Sequence, residues 1–139
     1  MKIGYTTGVF DLFHVGHVNL LKNAKSLCDK LIVGVTVDEL VLYKGKKSVI
    51  PFDERLEVVS ACKYVDLAIP QKSINKVAAV EKLKANILFV GDDWYKNDKW
   101  VAMESELKKI NCIVVYFPYF TGTSSTLINL TLEKLRENN

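Results

Sequence analysis

The 139-residue chain has little of what marks several large protein classes. It has three cysteines, Cys28, Cys62 and Cys112, widely spaced and odd in number. That argues against a disulfide framework and for reduced, mostly buried thiols in a cytoplasmic protein. The formal net charge is only +3, too small to point to nucleic acid or a membrane surface, although it leaves room for a local cationic pocket. No apolar run is long enough to span a bilayer, and the opening residues do not read as a signal peptide. Internal repeats, low-complexity tracts and domain linkers are absent. No Gly-x-Gly-x-x-Gly follows the first apolar run, which disfavours a dinucleotide cofactor, and no Gly-Lys-Ser/Thr phosphate loop occurs. Neither Cys-x-x-Cys nor His-Glu-x-x-His accompanies the only two histidines, His14 and His17, so no metal-ligating set is expected.

What remains is an ordinary globular composition, 49% hydrophobic and 25% charged, in a chain of single-domain size with enough length for one real core. Short apolar runs at 3–7, 31–36, 65–69, 86–90 and 113–117 read as strands. The run 31–36 is apolar throughout, as a buried parallel strand should be. Between the runs lie helical patterns at 17–28, 38–43, from Pro51 onward, and at 74–83, 104–110 and 127–135. The first carries Leu20, Leu21, Ala24 and Leu27 on one stripe. Regular alternation predicts an α/β fold, a Rossmann-like doubly wound sheet of about five parallel strands with right-handed crossovers.

Open sheets of this kind bind ligands beyond the carboxyl ends of their strands. Three segments follow strand ends directly: residues 8–17, Gly91-Asp92-Asp93-Trp94, and 119–126. In the first, a glycine turn leads into His14-Val15-Gly16-His17 at a helix start, an arrangement suited to phosphate because backbone N–H groups and the helix dipole face the ligand. The two histidines are three apart, and on a helical turn they share a face. Gly122-Thr123-Ser124-Ser125-Thr126 places four hydroxyls at another helix start, where one serves as an N-cap and the rest are available to phosphate oxygens. Lys44-Gly45-Lys46-Lys47 alone reads as a solvated loop, but beside a phosphate site its cations offset ligand charge.

Gly8-Val9-Phe10-Asp11 followed by His14-Val15-Gly16-His17, then Lys63-Tyr64-Val65-Asp66, Gly91-Asp92-Asp93-Trp94 and Gly122-Thr123-Ser124-Ser125-Thr126, resembles the cytidylyltransferase branch of the HxGH nucleotidyltransferase superfamily. The glycerol-3-phosphate cytidylyltransferases are the nearest group, and the likeness runs along nearly the whole chain. The resemblance implies in-line attack of a substrate phosphate on the α-phosphate of CTP, with loss of pyrophosphate and no covalent enzyme intermediate. It assigns His14, His17 and Lys44 to catalysis. It gives the nucleotide Val9 and Phe10 through the backbone, with Lys46, Asp92, Asp93, Trp94, Tyr119, Gly122, Ser124, Ser125 and Thr126. Asp11, Lys44, Arg55, Lys63 and Lys76 fall to the acceptor. It also implies Mg²⁺ with the CTP phosphates, a homodimer, and a role in capsule, teichoic acid or lipid head-group precursors.

The chain departs from this family at Tyr119-Phe120-Thr121-Gly122, where an Arg-Thr-x-Gly motif is usual, and at Lys63, where arginine is usual. Val77, with Lys76 beside it, stands where the glycerol-phosphate enzymes carry a lysine. Apolar walls at Tyr119, Phe120 and Val77 would suit an acceptor other than glycerol 3-phosphate, such as phosphoethanolamine, phosphocholine or another phosphorylated polyol or amino alcohol. An adenylyltransferase and a nucleotide-binding regulatory domain are the remaining alternatives.

Overall fold

The computed structural model describes residues 1–43, 45–91, 98–118 and 125–137. Five strands, β1 (Ile3–Gly8), β2 (Lys30–Thr36), β3 (Leu67–Gln71), β4 (Ile87–Gly91) and β5 (Ile113–Phe117), form one sheet in the order β3-β2-β1-β4-β5. Every pairing is parallel. The described helices are α1 (Val15–Ser26), α2 (Asp38–Tyr43), α3 (Phe52–Ala61), α4 (Lys76–Leu83), α5 (Asp98–Lys109) and α6 (Ser125–Glu137). This is the expected doubly wound α/β sheet, with the strand order reversing between β1 and β4.

Side chains on a strand alternate between its two faces, and the core divides accordingly. Leu31, Val33 and Val35 of β2 and Ile87 and Phe89 of β4 join Leu21 and Ala24 of α1 and Val59 of α3 on one face. Ile32, Leu88 and Val90 point the other way, with Tyr5, and meet Val80 of α4 and Trp100 and Leu107 of α5. Both faces of the central strands are therefore dry, which explains their unbroken apolar runs. Val77 is half-buried against this second cluster. It packs the core and is no acceptor wall, which corrects one expectation drawn from the departures.

Several boundaries differ from those expected, most of them by one or two residues. The first helix begins at Val15, with His14 as an extended N-cap. The third strand is 67–71 instead of 65–69, and Pro70 lies within it, opposite Val35. That is tolerated because β3 is an edge strand, so the missing N–H breaks no second ladder. The fourth helix starts at Lys76, two residues later than its apolar pattern, because Asn75 caps it by accepting from the Ala78 N–H at 3.1 Å. The fifth starts at Asp98, six residues before the expected 104.

Candidate active site

The strand ends Gly8, Thr36, Gln71 and Gly91 lie on one edge of the sheet, and a cleft opens there. One lobe, of about 300 Å³, is bordered by the β1–α1 loop, His17, Lys46 and Lys47. A second, of about 210 Å³, shares Thr7, Gly8, Val9 and Leu20 with the first and extends to Thr36, Gln71 and Lys76.

The β1–α1 loop is strained. Phe10 and Leu12 both have positive φ, 54° and 50°, a left-handed conformation unfavourable for bulky residues and commonest at functional sites. Phe10 is buried, and its ring folds back over Gly8, where an added Cβ would come within 2.9 Å of it. Two anchors hold the loop. Asp11 accepts from the Val49 and Ile50 N–H groups at 2.8 and 2.9 Å. Arg55 donates from Nη1 to the Val9 carbonyl at 2.7 Å.

Arg55 itself is a correction. The resemblance gave it to the acceptor, but it is only 1% exposed. Nη1 also donates to the Thr36 carbonyl at 2.8 Å, Nε to the Ile50 carbonyl at 2.8 Å, and Nη2 to the Asp38 carboxylate at 2.6 Å. Asp38 in turn accepts from the Phe52 N–H, capping α3 from outside it, and from the Ser48 hydroxyl. The Phe52 N–H, with the Arg55 guanidinium and Ser48, holds the Asp38 carboxyl below its ordinary range. Arg55 thus ties β1, β2, α2 and the lysine-bearing loop together and contacts no cleft.

The two histidines cap the helix with their own rings. His14 Nδ1 accepts from the Gly16 N–H at 3.0 Å, and His17 Nδ1 accepts from the His14 N–H at 3.1 Å. Two N–H groups expected to face a phosphate are therefore already used. In exchange each neutral imidazole carries its proton on Nε2, on the ring edge away from the backbone. The rings sit 4.0 Å apart between centroids, and His17 also stacks on Phe13 at 5.3 Å. Burial lowers the pKa of His14 and, with the neighbouring His14 charge adding to it, brings that of His17 to about 4, despite the opposing pull of Asp11. Both are neutral donors near pH 7.

Among the other assigned residues, Val9, Phe10, Asp11, Lys46 and Lys76 border the cleft. Gly45 turns the lysine loop with φ of 77°. Lys63 stands apart from the cleft of its own chain. It precedes β3, at the amino ends of the strands, with its ammonium 5.2 Å from the Tyr64 ring centroid. A five-residue strand of roughly 17 Å separates it from the cleft. Lys44, Asp92, Asp93, Trp94, Tyr119, Phe120, Gly122 and Ser124 lie outside the described residues. Ser125 and Thr126 open α6, and their side chains are outside the description. Sequence reasoning missed Thr36 and Gln71, which read as strand-end residues, and Lys47, noted only as one of three loop cations.

Comparison with known proteins agrees with this geometry. A family model described as cytidylyltransferase-like matches residues 5–138. The chain belongs to the cytidylyltransferase-like family. As a cytidylyltransferase-like protein it is a nucleotidyltransferase, and its relatives bear this out. A glycerol-3-phosphate cytidylyltransferase of Bacillus spizizenii is 36% identical over 97% of this chain and all of its own length. One from Staphylococcus aureus is 35% identical, covering 95% of this chain and 96% of that one. An FAD synthase of Archaeoglobus fulgidus is 38% identical over 78% of this chain and 79% of its own. A lipopolysaccharide core biosynthesis protein from Thermoplasma volcanium superposes with a TM-score of 0.73 at 31% identity, over 88% of this chain and 99% of that one.

Two outcomes follow for the cytidylyltransferase-like site. Arg55→Met should lower unfolding stability by at least about 3 kcal/mol, since four acceptors lose a charged partner. Lys63→Met, on the surface, should change it by less than about 0.5 kcal/mol. Equal urea midpoints for the two variants would refute the clamp. The second concerns pH. Unfolded histidine titrates near 6.5, and folded His17 only near 4. Between those values the unfolded state binds more protons, so stability is lost as pH falls from about 6.5 toward 4 and the loss levels off below. Urea midpoints at pH 7.5 and 5.5 should drop less in His17→Asn than in wild type, and identical drops would contradict the neutral assignment.

Proposed function

We propose that this nucleotidyltransferase moves a cytidylyl group from CTP to the phosphate of a small phosphorylated alcohol, with glycerol 3-phosphate the first candidate. The observation that carries the reading is the pair of neutral histidines after β1, held by backbone N–H groups through Nδ1, of which His17 borders the same cleft lobe as Lys46 and Lys47. An oxygen of the acceptor phosphate attacks the α-phosphorus, the bond to the bridging α–β oxygen breaks, and pyrophosphate leaves. The attacking group is already an anion, so no general base is required. The protein's work is alignment and charge stabilisation. Nε2–H groups of His14 and His17 donate to phosphoryl oxygens, and the loop lysines offset the charge.

The reading includes Mg²⁺ with the triphosphate. Among the described residues no three His, Cys, Asp or Glu side chains converge on a metal position, and both Asp11 oxygens accept N–H groups. The ion would thus be held by phosphate oxygens and water, where it screens their charge. Lys44 and the residues at 92–94, 119–126 keep the roles that the resemblance implies. The FAD synthases among the relatives support a second reading, adenylyl transfer from ATP. The reading further places the protein in the cytoplasm, in keeping with three free cysteines, supplying a precursor for cell-surface polysaccharide. No helix among the described residues is long and apolar enough to cross a membrane. A C₂ homodimer is part of the proposal, favoured by exposed Val58 of α3 and Leu67 of the edge strand β3.

Wild type should release pyrophosphate from CTP with glycerol 3-phosphate and prefer CTP to ATP. His14→Ala and His17→Ala should each lower kcat at least ~10²-fold while remaining folded. Near-normal turnover in both variants would sink the assignment, and a preference for ATP would move it to the second reading. Light scattering on the same samples should give twice the 15.7 kDa chain mass, and a monomer would remove the dimer from the proposal.

A further inference from the structure

Phe13 borders neither lobe of the cleft, yet its ring is committed to a residue that does. It stacks on the His17 imidazole, with centroids 5.3 Å apart and planes inclined by 24°. Phe10 meets the same imidazole at 5.3 Å and 59°. The His14 ring lies 4.0 Å from it at 34°. The two phenyl rings are themselves 6.4 Å apart. Among the described residues, three rings thus surround His17, which borders the first lobe.

The backbone is bent in a way that makes this packing. Phe10 and Leu12 take left-handed φ of 54° and 50° on either side of Asp11, which is anchored to the Val49 and Ile50 N–H groups. Bulky residues keep such conformations only where their surroundings over-determine them. The result is that rings three positions apart in the chain reach one imidazole. Phe13 stands just before the His14 N-cap, where an apolar residue ordinarily packs against the fourth helical position. Here its ring stacks on the third, His17. His17 needs such a hold. The outer torsion of a histidine is broad and two-fold, and the single N–H bond to Nδ1, 3.1 Å long, is a modest restraint. A half-turn of the ring would put Cδ2 in place of Nδ1 and Cε1 in place of Nε2, and the donor would leave its position.

We propose that Phe13 is a positioning residue, whose stack holds the His17 imidazole in the plane that pairs Nδ1 with the His14 N–H and turns Nε2–H toward the first lobe. For its effect on turnover this rests on the cytidylyltransferase reading above. The same ring shields the imidazole from water, in keeping with the pKa of about 4 that burial, before any charge, gives His17. The titratable groups around it are His14 and Asp11 of its own segment, with Lys46 and Lys47 of the facing loop on the same lobe.

The test compares wild type with Phe13→Ala, Phe13→Leu and Phe13→Tyr, by NMR of the ring nitrogens and by pyrophosphate release. The chain has two histidines, so two sets of ring signals arise, and His17→Asn identifies which belongs to His17. Phe13→Ala should raise the His17 titration midpoint from near 4 by at least about one pH unit toward the ordinary value of about 6.5, and mix its two neutral tautomers. It should lower kcat at pH 7.5 about three- to tenfold, the scale of one aromatic pair, with the CTP KM changed less than about twofold. Phe13→Tyr keeps the ring and should restore both. Phe13→Leu keeps the apolar bulk, serves if the alanine variant does not fold, and should fall between. Wild-type titration and tautomer in the truncated variant overturn the proposal, as do changes that Phe13→Tyr fails to reverse. An unaltered kcat beside altered ring signals overturns the role in turnover. Altered ring signals with no pyrophosphate from CTP or ATP would remove the functional reading and uphold the placement of His17 by Phe13.

Discussion

One buried guanidinium organises the active edge of this protein. Arg55 reaches the carbonyl after β1, the carbonyl at the end of β2, the carbonyl before Pro51 and the carboxylate at the start of α2. These four groups come from three stretches of the chain, at Val9, at Thr36 and Asp38, and at Ile50. Each would lose a charged donor without it, and the charge would be costly to bury without them. The planar fork suits the task, because its donors point in fixed and different directions, which a lysine ammonium cannot reproduce. The strained Phe10 and Leu12 conformations, the position of Lys46 and Lys47 and the orientation of Thr36 all depend on this clamp. Removal of Arg55 would therefore disturb the cleft border without touching the cleft directly.

The helix start shows a related economy. A helix N-terminus usually presents bare N–H groups to an anion. Here His14 and His17 occupy two such positions with Nδ1 and present Nε2–H in their place. The donors are thereby moved outward by the width of a ring and set side by side. Burial keeps both rings uncharged, so in the proposed reaction the positive charge for a triphosphate is left to Lys46 and Lys47. Donor geometry and cationic charge are supplied by different residues, and each can be altered separately.

Much of the architecture was legible in the amino-acid order. Unbroken apolar runs such as 31–36 required two covered faces, which led to a parallel, doubly wound sheet. Short motifs at strand ends pointed to the carboxyl edge of the sheet, because the carboxyl ends of parallel strands converge wherever the chain goes between them. Errors arose where a cap or a tertiary contact outweighed the apolar pattern. Asn75 trimmed a helix by capping it, and edge position let Pro70 remain in a strand. Arg55 looked like a substrate cation because a sequence pattern does not show which acceptors surround a side chain.

The sequence by itself determined the fold class, the family and the pair of histidines, since periodicity and motif spacing are properties of neighbouring residues. Only the tertiary structure decided that Arg55 is a clamp, that Lys63 lies at the far end of the sheet, and that Gln71 and Thr36 border the cleft. Those assignments depend on which carbonyls, carboxylates and strand ends meet across 17 to 46 residues of chain, and on the burial that gives each contact its strength. No local pattern carries that information, because a hydrogen bond between distant segments leaves no periodicity behind.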